Sequence, residues 1–333
     1  MSWQIESLVK TAVDEGVIPG AVLLAKSKHG SSYTMAVGDG YTPDTVFALA
    51  SMTKLLTCVA ALQLVEAGAI SLDDDVAKLL PELAKKKILK GFDKKGRPVL
   101  KDRKKKITLR HLLTHSSGCG YTFLNDDLKT FVGGSAFPNA TGSRTVGERF
   151  DFPLLFEPGE GWVYGCGIDW VGQLVERVSG IPLERYFQER ILAKVDVGEG
   201  RVTFYPERGV KGPRAVMTAR GPDGRVAPRP LPEGIPERKE MGGEGGHADL
   251  KAYMDVVWSL LRNDGRLLKS VEELFKPQLE KKAKEALTEM CANPGWIVGT
   301  EGVCGVFGTQ IIAPDPKVTP LIRAFEEEIY SKL

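Results

Sequence analysis

Phe47-Ala48-Leu49-Ala50-Ser51-Met52-Thr53-Lys54-Leu55-Leu56-Thr57 opens an apolar helical pattern that runs to Gly68. A Ser and a Lys three apart at a helix start share one face, so the Lys amine reaches the Ser oxygen. A neutral amine there takes the hydroxyl proton and turns the Ser into a nucleophile. The unpaired N–H groups of the first helical turn favour negative charge developing beside them. Spacing alone does not separate catalysis from capping. Ser suits a helix N-cap in any case. Ser7-Leu8-Val9-Lys10 repeats the same spacing by chance in an earlier helix.

Outward from this segment, the pattern predicts helices and strands in a particular order. Residues 3–15 place Ile5, Leu8, Val9 and Val13 on one helical face. After Pro19-Gly20, residues 21–27 and 32–38 read as two strands of a hairpin joined near Gly30. Residues 107–118 read as a short helix and turn, and 168–179 as an amphipathic helix closed by Gly180. Residues 200–245 are rich in Pro and Gly and read as loops. Helix is expected again over 247–263, strand over 296–311 and helix over 317–332. With strands near both termini, the economical fold class is α+β. One antiparallel sheet is built from both chain ends and flanked by N- and C-terminal helices, with a mainly helical region inserted. The expected division is a sheet domain of residues 1–48 and 295–333, and a mainly helical domain of 49–294 carrying the nucleophile helix and the Tyr164 loop.

The chain has 333 residues, enough to bury a sizeable core. Its 45 Lys and Arg against 43 Asp and Glu leave a net charge of +2, which does not indicate a strongly cationic nucleic-acid binder. The balance is uneven along the chain. Residues 85–106 hold 12 Lys/Arg and 2 Asp. They read as a solvated hairpin turning at Asp93-Lys94-Lys95-Gly96, or as a docking patch for an acidic partner such as an acyl-carrier protein. Phe92 is the one aromatic there, which disfavours stacking on single-stranded nucleic acid. No apolar run reaches the ~18 residues of a membrane span. The amphipathic, acid-bearing start is unlike a signal peptide, so a cytoplasmic setting is expected. Five cysteines, widely spaced and without a CxxC pair, suggest neither a zinc site nor a disulfide framework.

Several segments together resemble the serine β-lactamase and penicillin-binding-protein superfamily. The nucleophile segment above is one. Others are Ile107-Thr108-Leu109-Arg110-His111-Leu112-Leu113-Thr114-His115-Ser116-Ser117-Gly118 and Pro158-Gly159-Glu160-Gly161-Trp162-Val163-Tyr164-Gly165-Cys166-Gly167-Ile168-Asp169-Trp170. The form of the last is similar to the fungal esterase and acyltransferase branch. The resemblance covers roughly residues 1–275 and 303–332. It implies Ser51 as nucleophile, with Lys54 and Tyr164 managing the protons, and no metal or organic cofactor. It also implies small-molecule acyl donors and acceptors. Candidate substrate walls are Tyr121, Phe123, Trp162, Trp170 and Trp296, with Gly243 and Gly245 in the loop that approaches the site.

The chain departs from the family pattern twice. Cys166 and Gly167 stand where many members carry an Asn that helps hold the Lys. No copy of the third motif (Lys-Thr-Gly, His-x-Gly or Trp-Gly-Gly) is found before Gly302, and the region is short. Losing one oxyanion donor costs ~10²–10³ in rate. Two other readings therefore stay open: an impaired or binding-only homologue, and a β-lactamase or peptidase. His111 and His115 are four apart on a helix but lack the further ligands of a metal motif, so packing is expected of them.

Overall fold

The computed structural model describes residues 3–135, 145–229, 240–291, 302–311 and 315–333. In chain order the elements that position the site are α1 (Gln4–Asp14), β1 (Ala21–Ser27), β2 (Ser32–Val37), β3 (Val46–Ala48), α2 (Thr53–Glu66), β4 (Ile88–Phe92), β5 (Pro98–Lys101), α3 (Leu109–Leu113), α4 (Gly167–Ser179), β6 (Val202–Thr203), β7 (His247–Asp249), α5 (Leu250–Arg262), β8 (Val303–Gly308) and α6 (Thr319–Lys332). The α+β class expected from the sequence is the one observed.

β1 is central to the terminal sheet, whose order is β8-β1-β2. Its register runs antiparallel on both sides, with Val22 opposite Ala36 on β2 and Gly308 on β8. Because both faces of β1 are covered, Ala21-Val22-Leu23-Leu24-Ala25 is a continuous apolar run rather than an alternating one. Leu23 and Ala25 point into a core with Ile5, Val9, Phe325 and Ile329 from α1 and α6. Val22 and Leu24 point the other way, into the larger core shared with α2, α4 and α5. β2 is covered on one face, and its burial alternates accordingly.

A second sheet, in the order β3-β7-β6, carries the chain up to Ser51. Helix α2 then enters the core and packs on α4. It is buried on nearly every side, so the pattern shows little amphipathicity. The expected helix from residue 247 starts instead at Leu250. His247–Asp249 pair with β3, and the Asp249 side chain caps the helix by accepting from Ala252 N at 2.9 Å. The Pro- and Gly-rich stretch expected as loop holds a small hairpin, Thr218–Arg220 against Val226–Pro228.

The basic segment is a hairpin of β4 and β5. Asp93 makes its turn, accepting from Lys95 N at 2.8 Å and Arg97 N at 3.0 Å. Ile88 and Leu89 anchor its base in the core, while β5 is exposed throughout. No described helix is long and apolar enough to cross a membrane.

Candidate active site

Ser51 sits in a single helical turn, Ala50–Met52, just before α2. Ala50 has φ 45°, a left-handed conformation that costs a non-glycine residue about 1–3 kcal/mol. The kink leaves Ser51 exposed, while Lys54, one turn on, is 8% exposed. Lys54 Nζ lies 3.1 Å from Ser51 Oγ. Tyr164 OH donates to Ser51 Oγ at 2.7 Å from the other side. Tyr164, more than a hundred residues further along the chain, thus meets the neighbouring pair Ser51 and Lys54 on one oxygen.

Tyr164 is held by His115. The two rings are 4.6 Å apart, Val163 N donates to His115 O at 3.0 Å, and Gly165 N donates to His115 Nδ1 at 3.3 Å. Burial, with Lys54 nearby, lowers the His115 imidazole to about 3, so it is neutral and acts as packing under Tyr164. Gly165 lets the Tyr164 segment lie against the Cys119–Gly120 backbone, because a Cβ there would lie 1.9 Å from Cys119 O. His111 is likewise structural. It forms a reciprocal capping box with Thr108 at the start of α3.

Lys54 has two further partners. Its Nζ donates to Gly243 O at 2.7 Å and to Tyr121 OH at 3.4 Å. Without an Asn after Tyr164, Lys54 is held by these two contacts. Cys166 is buried and directs its thiol to Gly120 O at 3.6 Å instead. Behind both partners lies Asp169, at 0% exposure, a residue to which the sequence reading gave no role. Its Oδ2 accepts from Tyr121 OH at 2.8 Å and its Oδ1 from Gly243 N at 2.9 Å. Burial, then the nearby Glu244, raise the Asp169 carboxyl to about 6, against the pull of Lys54 and the two hydrogen bonds. Glu244 is itself ion-paired with Arg149. Burial and then Asp169 push the Tyr121 phenol well above its usual value.

The Gly242–Gly246 loop is stitched onto α2. Thr57 Oγ1 donates to Gly242 O at 2.7 Å, and Gly246 N donates to Thr53 Oγ1 at 3.0 Å. The expected approach of this loop is made by Gly243. Gly245 lies against Phe204. Tyr121 is buried, and Phe123, 42% exposed, stacks on it at 5.1 Å. Trp162 meets His115 edge-on at 5.8 Å. Trp170 does not line the site. It is 1% exposed, on the core face of α4, with Lys86 Nζ 5.8 Å from its ring centroid. Trp296 lies outside the described residues.

A nucleophile, an amine and a phenol within hydrogen-bond reach, beside the rings of Tyr121, Phe123 and Trp162, form an arrangement for acyl transfer. The Beta-lactamase family model matches residues 5–317. The chain is 37% identical over 318 residues to the acyltransferase mokF of Monascus pilosus, covering 87% of this chain and 75% of that protein. It is 36% identical over 307 residues to the lovastatin esterase of Penicillium rubens, covering 87% and 76%. Among solved structures, the LovD9 mutant of the simvastatin synthase from Aspergillus terreus matches with a TM-score of 0.86 at 33% identity, over 98% of each chain. The chain thus belongs to the beta-lactamase family, alongside these acyltransferases and esterases, and is a serine-dependent acyl-transfer enzyme.

Proposed function

We propose that Ser51 is the nucleophile, Lys54 its base and Tyr164 the carrier of the second proton. The observation behind this is the pair of contacts on Ser51 Oγ, 3.1 Å from Lys54 Nζ and 2.7 Å from Tyr164 OH. Ser51 gives its proton to Lys54 and attacks the carbonyl of an ester or thioester. Charge develops on the carbonyl oxygen beside the N–H of Ser51 at the helix start. Collapse expels an alcohol or thiol, which takes a proton through Tyr164, and leaves an acyl-Ser51 ester. In the second half, water or an alcohol loses its proton to the same pair, attacks that ester and releases Ser51. Water makes the enzyme an esterase and an alcohol makes it an acyltransferase. A bulky apolar acceptor suits the rings of Phe123, Tyr121 and Trp162. An acyl-carrier protein at residues 85–106 is the proposed donor partner.

The test is labelling with a fluorophosphonate and turnover of a p-nitrophenyl ester. The adduct is expected on Ser51, and Ser51→Ala is expected to lose both adduct and turnover while Ser7→Ala keeps them. Lys54→Ala should lower kcat by ~10²–10⁴-fold. Turnover that survives Ser51→Ala overturns the assignment.

A further inference from the structure

We infer that Asp169 is a positioning residue. By accepting the Tyr121 proton and holding the Gly243 amide, it leaves Lys54 facing a phenol oxygen and a carbonyl that only accept, and so aims at Ser51 the lone pair that Lys54 needs as the base. The inference rests on the Ser51 and Lys54 roles proposed above.

A neutral amine carries two N–H groups and one lone pair. Three groups face Lys54 Nζ: Gly243 O at 2.7 Å, Ser51 Oγ at 3.1 Å and Tyr121 OH at 3.4 Å. The Gly243 carbonyl only accepts. A phenol accepts or donates, so the Tyr121 contact is ambiguous until its proton is placed. Asp169 Oδ2, 2.8 Å away, places it, because an ionised carboxylate only accepts. Tyr121 then shows Lys54 nothing but lone pairs. Both N–H groups of the amine are taken, and its own lone pair is left for the Ser51 hydroxyl. The second carboxylate oxygen takes Gly243 N at 2.9 Å, which holds the residue whose carbonyl is the other acceptor. Gly is required at 243, since a Cβ there would lie 2.3 Å from Asp169 Oδ2.

The logic is that of a buried acid that sets which way a neighbouring base presents its proton-accepting atom. The charged and titratable groups facing Asp169 are Lys54 on α2, Tyr121, Cys166 on its own helix start, and Glu244, which is ion-paired with Arg149. Burial and then Glu244 raise the Asp169 carboxyl to about 6, so the required anion is lost as pH falls through that value. Once protonated it donates to Tyr121, whose proton then turns onto the Lys54 lone pair.

Asp169→Asn reproduces that reversal at every pH. Its amide oxygen keeps the bond from Gly243 N, its amide nitrogen donates to Tyr121, and the phenol proton blocks Lys54. The expected result is kcat for a p-nitrophenyl ester lower by ~10²–10⁴-fold with KM little changed. Adding Tyr121→Phe removes the blocking proton, so the double variant should recover at least roughly tenfold over Asp169→Asn. An Asp169 that merely supports the fold predicts a double variant no better than the single, and that outcome overturns the inference. The wild-type enzyme supplies a measurement independent of any variant's folding. Its kcat should fall as pH drops through about 6, and a flat profile there also overturns the inference. Fluorophosphonate labelling separates the two levels. A wild-type adduct on Ser51 with no recovery in the double variant defeats the Asp169 role alone, whereas no adduct on Ser51 defeats the nucleophile assignment beneath it.

Discussion

At the scale of single residues, the anion that orients Lys54 burdens the fold. The Asp169 carboxyl sits near 6 in the folded chain against a usual 3.8, with burial as the first cause. Between about 4 and 6 the native state holds a proton that the unfolded chain has released, so stability falls as pH rises through that window and stays low above it. Asp169→Asn removes the charge and keeps the Gly243 bond. It is expected to be more stable than wild type at pH 7 by of order 1–3 kcal/mol, the advantage vanishing by about pH 4. Urea unfolding of both proteins at the two pH values measures this. Equal stability at both would mean that the carboxylate carries no electrostatic penalty. The sequence hides this residue because an Asp in the first turn of a helix has an ordinary explanation in the helix dipole. Trp170, next to it, misleads in the opposite sense. An aromatic beside the Tyr164 motif reads as a pocket wall, but helical spacing puts it on the same buried face as Val171 and Leu174. The Gly243 carbonyl has no side-chain signature at all. Ser51, Lys54 and Tyr164 were legible because their motifs recur with fixed flanking residues.

At the scale of elements, α1 lacks a capping side chain of its own, since Trp3 occupies the N-cap. Glu328 on α6 supplies the cap from across the sheet core, accepting from Gln4 N at 2.8 Å and Ile5 N at 2.7 Å. Burial works against its ionisation, but the Lys332 ammonium and the two amides outweigh it and hold the carboxyl below the usual Glu value. Its contribution is therefore complete above the ordinary Glu value and is lost as pH falls below it. Glu328→Ala should destabilise by ~1 kcal/mol near neutral pH, and by less in acid. Thermal melts at two pH values check this, and a loss that does not shrink in acid would contradict the charged-cap account. The pattern of α1 announced the helix, but a cap that comes from residue 328 is a tertiary contact no local window contains. The start of α5 shows the same limit, because Asp249 caps a helix whose preceding residues are drawn into the β3 pairing.

At the scale of the whole molecule, charge is the unequal property. Within the basic hairpin several cations are engaged: Lys86 with the Phe150 and Phe152 carbonyls, Lys87 with Asp102, Arg97 with Asp93 and Lys105 with Glu160. Lys90, Lys94, Lys95 and Lys101 are exposed and have no ion-pair partner among the described residues. If this surface receives an acidic acyl-carrier protein, transfer from the carrier-bound donor should fall steeply with salt, since screening acts within ~10 Å at 0.1 M. Transfer from a small thioester should hold steady. A parallel salt response for the two donors would return the hairpin to a solvated surface.

The terminal sheet was legible as an assembly because strands stood near both chain ends, and that layout has a consequence in time. Lys26 on β1 and Cys304 on β8 touch across 278 residues of sequence. At ~5–20 residues per second, β1 waits roughly 15–55 s on the ribosome before the strand that covers its edge exists. During that interval Ala21–Ala25, the most continuously apolar of the described strands, has β2 on one side and an open row of amides and carbonyls on the other. The moment of greatest hazard for this enzyme is thus its own synthesis, and whatever shields that edge in the cell governs how much active protein is made.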